Sequence, residues 1–299
     1  DKSGKEWLVE LDKGVVIGDG ELVEFRKIDS GRRIRTEKVR VSERLGDPSA
    51  PKSVSLIAIH QLKIPNIFPE NVLLQSKKAS FLQNKKWDDY SHVPFVTIDP
   101  KDARDHDDAC YAKPDDDPKN IGGHLIWVAI ADVAHFVRSG DAIDNEARHR
   151  GNSTYFPDRV VPMLPDNLSG NLCSLHEGEK RACIVVKIKI DSVGNKISHK
   201  FTRAVIQSWA SLEYGEVQKV IDKGKGKPKV LDLVNTVIKP LYDAYSCLKI
   251  SRKARSPLDL NLPERKIEID EKGIVKDVRF KERLEAHKLI EEFMILANV

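Results

Sequence analysis

The chain has 299 residues, of which 40% are hydrophobic, 32% charged and 6% aromatic, with a formal net charge of +4. This is enough apolar material for a real core, in one large domain plus a small one or in two; no apolar run is long enough to span a bilayer, and no signal-peptide pattern opens the chain. The mild positive balance permits a nucleic-acid partner without demanding one.

Taken in chain order, residues 1–75 read as short strands broken by Gly and Asp. WLVEL, GVVIGDGELVEFRKI and SVSLIAIHQLKI supply the β-branched runs. A small β-barrel, or part of one, fits them. Residues 76–92 read as a linker helix or loop, and a second domain runs from 93 to 299. There PFVTID is a strand entering an acidic loop, and HLIWVAIADVAHFV is a long apolar run of strand character. PDDDP, at 114–118, reads as a solvated acidic turn. ACIVVKIKID and KISHKFTRAVIQS form a hairpin through SVGN. LEYGEVQKVID is a short helix, and KGKGKPK is a basic solvated excursion. VLDLVNTVIKPLYDAYSCLKISRKAR is a long helix with a possible kink at Pro240. RKIEIDEKGIVKDVRF is a second hairpin, and a helical pattern closes the chain. The mixture is α+β. Asp1 at one end and an uncapped helical pattern at Val299 at the other both read as cuts in a longer protein.

Four cysteines, Cys110, Cys173, Cys183 and Cys247, show no Cys-x-x-Cys pairing. They read as reduced thiols in a cytoplasmic protein. Cys173 and His176 have a zinc-like spacing, but no second pair follows, so a buried thiol near a loop histidine is the better reading.

The informative stretch is FVTIDPKDARDHDDACYA, Phe95 to Ala112. It places Asp99, Asp102, Asp105, Asp107 and Asp108 beside an apolar strand. Two carboxylates about 4 Å apart repel by roughly 1 kcal/mol in water and about 4 at an effective dielectric near 20. Such a cluster calls for a cation. An EF-hand calcium loop fails, because its third and fifth positions fall on Lys101 and Ala103, or on Asp107 and Ala109 with Cys110 where Gly belongs. A magnesium site remains, since that ion prefers carboxylate oxygen and shares its shell with water and phosphate.

At this point the residues carry a resemblance. TIDPKDARDHDDACYA resembles the acidic signature of the ribonuclease II and ribonuclease R (RNB) family of 3′→5′ exoribonucleases. WVAIADVAHFV, DNEARHRGNSTYFPDRVVPMLPDNLSGNLCSL, SLEYGEV, SPLDLNLPERKI and EAHKLIEEFMILAN follow in the order that family shows. The match covers roughly residues 50–299, looks closest to the bacterial ribonuclease R branch, and is preceded by a segment similar to a cold-shock domain. The resemblance implies a cold-shock/OB-like barrel over 1–75, then the first part of an RNB-type mixed α/β catalytic domain.

It also implies roles. Asp99, Asp105, Asp107 and Asp108 match the catalytic, metal-holding aspartates. Asp99 and Asp108 would be the direct ligands, Asp105 would complete the shell and Asp107 would orient the attacking water or a second metal ion. Mg2+ is the implied cofactor, with Mn2+ a substitute. Asp102 matches a variable surface position. His106 sits where the family often has an apolar residue, and reads as a neighbour of the site rather than a base.

Tyr155 matches an aromatic that stacks on the 3′-terminal base of single-stranded RNA, although read alone it is a core tyrosine. Tyr214 and Glu291 match contacts to the terminal nucleotides. For Glu291 an ion pair with His287 or Lys288 is an equal reading. Leu260 falls near a stacking position. The segment from Val160 to Val185 reads as packing and turns. An arginine-bearing motif, an S1 domain and a first cold-shock domain belong to the family but not to these residues, so this stretch alone is expected to be inactive. The implied protein is a monomer that hydrolyses RNA to nucleoside 5′-monophosphates. The alternatives are an RNA-binding module that has lost catalysis and a calcium-stabilised structural domain.

Overall fold

The structure, a computed structural model, describes residues 5–12, 16–28, 37–48, 50, 53–81, 86–258, 262–270 and 273–299. The elements begin with β1 (Leu8–Glu10), β2 (Leu22–Ile28), β3 (Lys38–Gly46), α1 (Ser53–Gln61), α2 (Glu70–Lys78) and β4 (Asp88–Asp89). They continue with β5 (Val96–Asp99), β6 (Asp108–Pro114), β7 (His124–Ala131), α3 (Val133–Phe136), α4 (Ala142–Arg150), β8 (Thr154–Tyr155) and β9 (Val160–Val161). After them come β10 (Lys180–Ile190), β11 (Lys196–Gln207), β12 (Ala210–Glu213), α5 (Tyr214–Lys223), α6 (Pro228–Asp232) and α7 (Lys239–Arg255). The last are β13 (Arg265–Ile269), β14 (Val275–Phe280) and α8 (Glu285–Asn298).

The chain forms two units. One comprises Asp1–Ile67, Asn152–Val161 and Arg265–Phe280; the other holds the remainder. In the first, β3 lies between β1, which is parallel to it, and β2, which is antiparallel. Among the described residues this is an open three-stranded sheet, with no closed barrel. SVSLIAIHQ, expected as a strand, is the helix α1. Its β-branched residues favour a strand only weakly, and packing decides. As a helix it buries Ser55 and Ile59, four residues apart, and leaves Val54 71% exposed. The Ser55 hydroxyl bonds the Asp158 carboxylate within the same unit.

The second unit is built on a seven-stranded sheet in the order β12-β5-β6-β7-β10-β11-β4. The outermost pairs, β12–β5 and β11–β4, are parallel, and the four inner pairings are antiparallel. Alternation along each strand divides its side chains between two cores. Ile126 and Val128 join Val186 and Ile188 under α5, α7 and α8, whereas Trp127 and Ala129 join Cys183 and Val185 with α2, α4 and the π-helical turn Leu168–Leu172. Both faces are buried, which is why β7 reads as a continuous apolar run.

Three expectations are corrected here. The apolar run starting at His124 leaves the sheet at Ala131. Asp132 still donates its N–H to the Ala182 carbonyl, but its own carbonyl accepts from His135, which starts α3. The long helix expected from Val230 is interrupted by a π-helical turn, Val234–Ile238. Helix α7 then restarts with Pro240 in its first turn, where a missing N–H costs nothing. Third, PDDDP is not simply solvated. The Asp115 side chain is 7% exposed, accepts from Asn120 at 2.8 Å and pairs with Lys189 at 2.9 Å.

Helix α8 is fixed by a buried charge. Glu292 is 2% exposed and meets Arg252 at 2.7 Å and Arg255 at 3.0 Å, both on α7. The four cysteines are free and buried. Burial pushes the Cys173 thiol up to about 12, and His176 Nε2 is engaged by the Gly170 carbonyl, so neither is prepared for zinc.

The bonds from Asn120 and then Lys189 hold the Asp115 carboxyl down to about 2. A carboxyl whose folded value is depressed adds stability above its unfolded value, and that contribution is lost as pH falls through the folded one. Asp115→Asn is therefore expected to lower the melting temperature at neutral pH, with the difference shrinking between about pH 4 and pH 2. Melting curves of both proteins across that range check it.

Candidate active site

Strand β5 ends at Asp99, in register with Glu213 at the end of parallel β12, and Tyr214 opens α5 immediately afterwards. The carboxyl ends of two neighbouring parallel strands therefore face the same place, a common ligand position in α/β sheets. The acidic loop leaves from there and returns as β6 at Asp108.

The loop is held by its backbone. Ala131 donates its N–H to the Asp107 carbonyl at 3.0 Å, and Leu175 donates to the His106 carbonyl at 2.9 Å. Ser174 is fully buried; its hydroxyl accepts from the His106 N–H at 3.0 Å and donates to the Arg104 carbonyl at 3.2 Å. Arg181, also buried, ties down the segment carrying Ser174 through the Asn171 and Ser174 carbonyls and the Asn171 side chain. Sequence reading took this whole segment as packing and turns. A serine and an arginine there gave no signal separable from ordinary loop chemistry.

The electrostatics are those of crowded carboxylates. Burial first, then the charges of Asp99 and Asp107, push Asp108 up to about 7. Asp107 is raised by desolvation and then by Asp105 and Asp99, although its side chain as a whole is open to solvent. His106 places Nδ1 2.7 Å from Asp99 Oδ2, and this bond raises the imidazole above its ordinary value. Its ring stands edge-on to His176 at 6.0 Å.

Among the described residues, the trio whose ligand atoms lie within 4.8 Å of one another is Glu24, Glu43 and His60 in the other unit, not the loop aspartates. No three of the loop carboxylates bring their oxygens within 4.8 Å of one another. The donor set itself suits a hard divalent cation: it is all carboxylate oxygen, and burial together with the neighbouring carboxylates holds the proton on Asp108 up to about pH 7.

Tyr214 and Glu291 come to the same neighbourhood. The Tyr214 hydroxyl is raised by burial and then by the carboxylates of Asp108 and Asp99, with Glu291 also contributing. Its ring stacks on His287, centroids 4.0 Å apart and planes 18° from parallel. His287 is turned for this by accepting the Leu284 N–H at Nδ1, 3.1 Å away. Sequence reading had only paired His287 with Glu291. In fact Glu291 meets Arg283, and Lys288 meets Glu285. Asp102 is exposed. Tyr155 lies in the other unit, on β8, with 64% of its surface exposed, so it is not a core tyrosine. Leu260 lies outside the described residues.

An acidic loop at the strand ends of a mixed sheet, with an aromatic and a glutamate beside it, is an arrangement suited to a hard divalent cation. Residues 87–299 match the RNB domain. Ribonuclease R of Vibrio cholerae is 36% identical over 286 residues, covering 94% of this chain and 34% of the relative. RNase R of Mycoplasma genitalium, solved in complex with ribose-methylated single-stranded RNA, has a TM-score of 0.85 at 27% identity, over 98% of this chain and 46% of that one. The structure of that protein with double-stranded RNA gives 0.86 at 28%, over 98% and 52%. The chain belongs to the RNB-domain family. It spans about a third of the length of the curated relatives it matches.

The Asp108 carboxyl keeps its proton to higher pH in the folded chain than in the unfolded one. Folding is therefore favoured at low pH, and that advantage is lost as pH climbs from about 4 to about 7; His106, raised by Asp99, acts in the same direction. In chelator, Asp108→Asn is expected to stabilise the protein near pH 8 by on the order of 1–3 kcal/mol, and to flatten this pH dependence. Thermal melts without divalent ions check both.

Proposed function

We propose that the protein is a hydrolytic 3′→5′ exoribonuclease that degrades single-stranded RNA processively to nucleoside 5′-monophosphates with a divalent ion, Mg2+ or in its place Mn2+. The observation that carries this reading is the gathering of Asp99, Asp107 and Asp108 with Tyr214 and Glu291 at the ends of β5 and β12. The names of the relatives support it. In this reading Asp99 and Asp108 hold the ion and Asp105 completes its shell. When bound, the ion activates water and neutralises charge on the scissile phosphate. Asp107, the most open of the three in the gathering, orients the attacking water or a second ion. Tyr214, its ring braced on His287, and Glu291 contact the terminal nucleotides. Tyr155 offers a π-face to the last base, which any base can use. RNA is told from DNA by contacts to the 2′-OH.

Residues 1–75 are assigned to a cold-shock/OB-like module, 76–92 to a linker and 93–299 to the first part of the catalytic domain. No described helix is long and apolar enough to cross a membrane. We assign a monomer working in the cytoplasm, and activity to the full-length protein rather than to this stretch alone.

The test is incubation of the full-length protein with 5′-labelled single-stranded RNA, with Mg2+, with chelator, and as Asp107→Asn. Conversion of label to very short products, abolished by chelator and lowered about a hundredfold or more by the variant, is expected. RNA that is bound but intact in every lane would refute the assignment. Tyr155→Ala is expected to weaken RNA binding by about 1–3 kcal/mol, nearly independently of sequence. Titrations with homopolymers measure it.

A further inference from the structure

The contact between His106 and Asp99 does more than fill space. His106 Nδ1 stands 2.7 Å from Asp99 Oδ2, and a carboxylate oxygen can only accept, so the imidazole donates there. Both the neutral Nδ1–H form and the imidazolium carry that proton, so the bond needs no particular protonation state. The ring cannot easily turn away. Its backbone N–H is held by the Ser174 hydroxyl, its carbonyl by the Leu175 N–H, and its ring lies nearly perpendicular to the neighbouring ring of His176. The histidine and carboxylate side chains are 15% and 14% exposed, so water competes little for the bond.

One oxygen of Asp99 is therefore taken and the other is left. That distinction matters to a cation. Ca2+ readily accepts both oxygens of one carboxylate in a shell of six to eight ligands, whereas Mg2+ demands a near-octahedral shell at short distance. We propose that His106 is a positioning residue that occupies Oδ2 of Asp99, leaves Oδ1 alone for the ion, and so biases the acidic loop toward small octahedral cations, Mg2+ and Mn2+, over Ca2+. This rests on the metal-dependent reading above and adds to it the source of the metal preference.

The test is calorimetric titration of the full-length protein, without RNA, with Mn2+ and separately with Ca2+. Wild type, His106→Phe and His106→Asn are compared. Phe keeps a flat ring and removes the donor; Asn returns an N–H close to the position of Nδ1. The ratio of Mn2+ to Ca2+ affinity is expected to fall about tenfold in the Phe variant and to recover in the Asn variant. A ratio unchanged by His106→Phe, even with both affinities lower, would overturn the proposal while leaving the metal site standing. A wild type that takes up neither ion would overturn the metal-dependent function and this inference with it. The wild type also supplies a readout independent of whether the Phe variant folds. The His106 Nδ1–H proton resonance is expected to persist when Mg2+ is bound, and its loss on Mg2+ addition would equally overturn the proposal.

Discussion

Repulsion among the loop carboxylates is the constraint to which the rest of the larger unit answers. A loop of free backbone would relax it by splaying its aspartates into solvent. Here the path from Arg104 to Asp108 is tied at four residues: Ser174 to Arg104 and His106, Leu175 to His106, Ala131 to Asp107, and β7 to Asp108. The ties come from the sheet on one side and from the segment around Ser174 on the other. That second segment has no regular structure at Ser174 and owes its position to Arg181. The strain of like charges is thus carried by neutral backbone bonds and a buried guanidinium, none of them part of the proposed chemistry.

The two cores have different tasks in this arrangement. The one containing Leu168 and Leu175 supports the loop from beneath. The one under α5, α7 and α8 sets Tyr214 and Glu291 against it. Both depend on β5 and the residue before it: Phe95 turns into one core while Val96 and Ile98 turn into the other. Asp99 follows on this strand, so its position is fixed by packing on both faces before any electrostatic term acts.

Much of this was legible in the sequence where periodicity and charge coincide. The acidic loop was found because like charges beside an apolar strand are costly, and the β10–β11 hairpin because SVGN separates two β-branched runs. The helix α1 was misread, since Val54, Ile57 and Ile59 argue for a strand and only the packing of Ser55 and Ile59 on one side overrides them. The turn at Asp132 was hidden because apolar residues resume directly after it at Val133 and Ala134 and again at Phe136 and Val137. Asp115 looked solvated because its partner Lys189 is 74 residues away. The aspartates themselves stood out, but their supports did not: Ser174, Arg181 and the stacking of His287 on Tyr214 are long-range relations, and single residues of those types carry no local signal of them.

Glu292 gives the far side of the site an unusual kind of rigidity. A helix packed only by aliphatic side chains can turn a few degrees about its axis at little cost, because such contacts have no preferred direction. A buried carboxylate gripped by two guanidinium groups has one. Turning α8 would strip Glu292 of Arg252 or Arg255 while leaving the charge inside. The neighbouring Glu291 and, one turn back, His287 inherit that angular lock, so α7 acts as a keyway for the site-facing residues of α8.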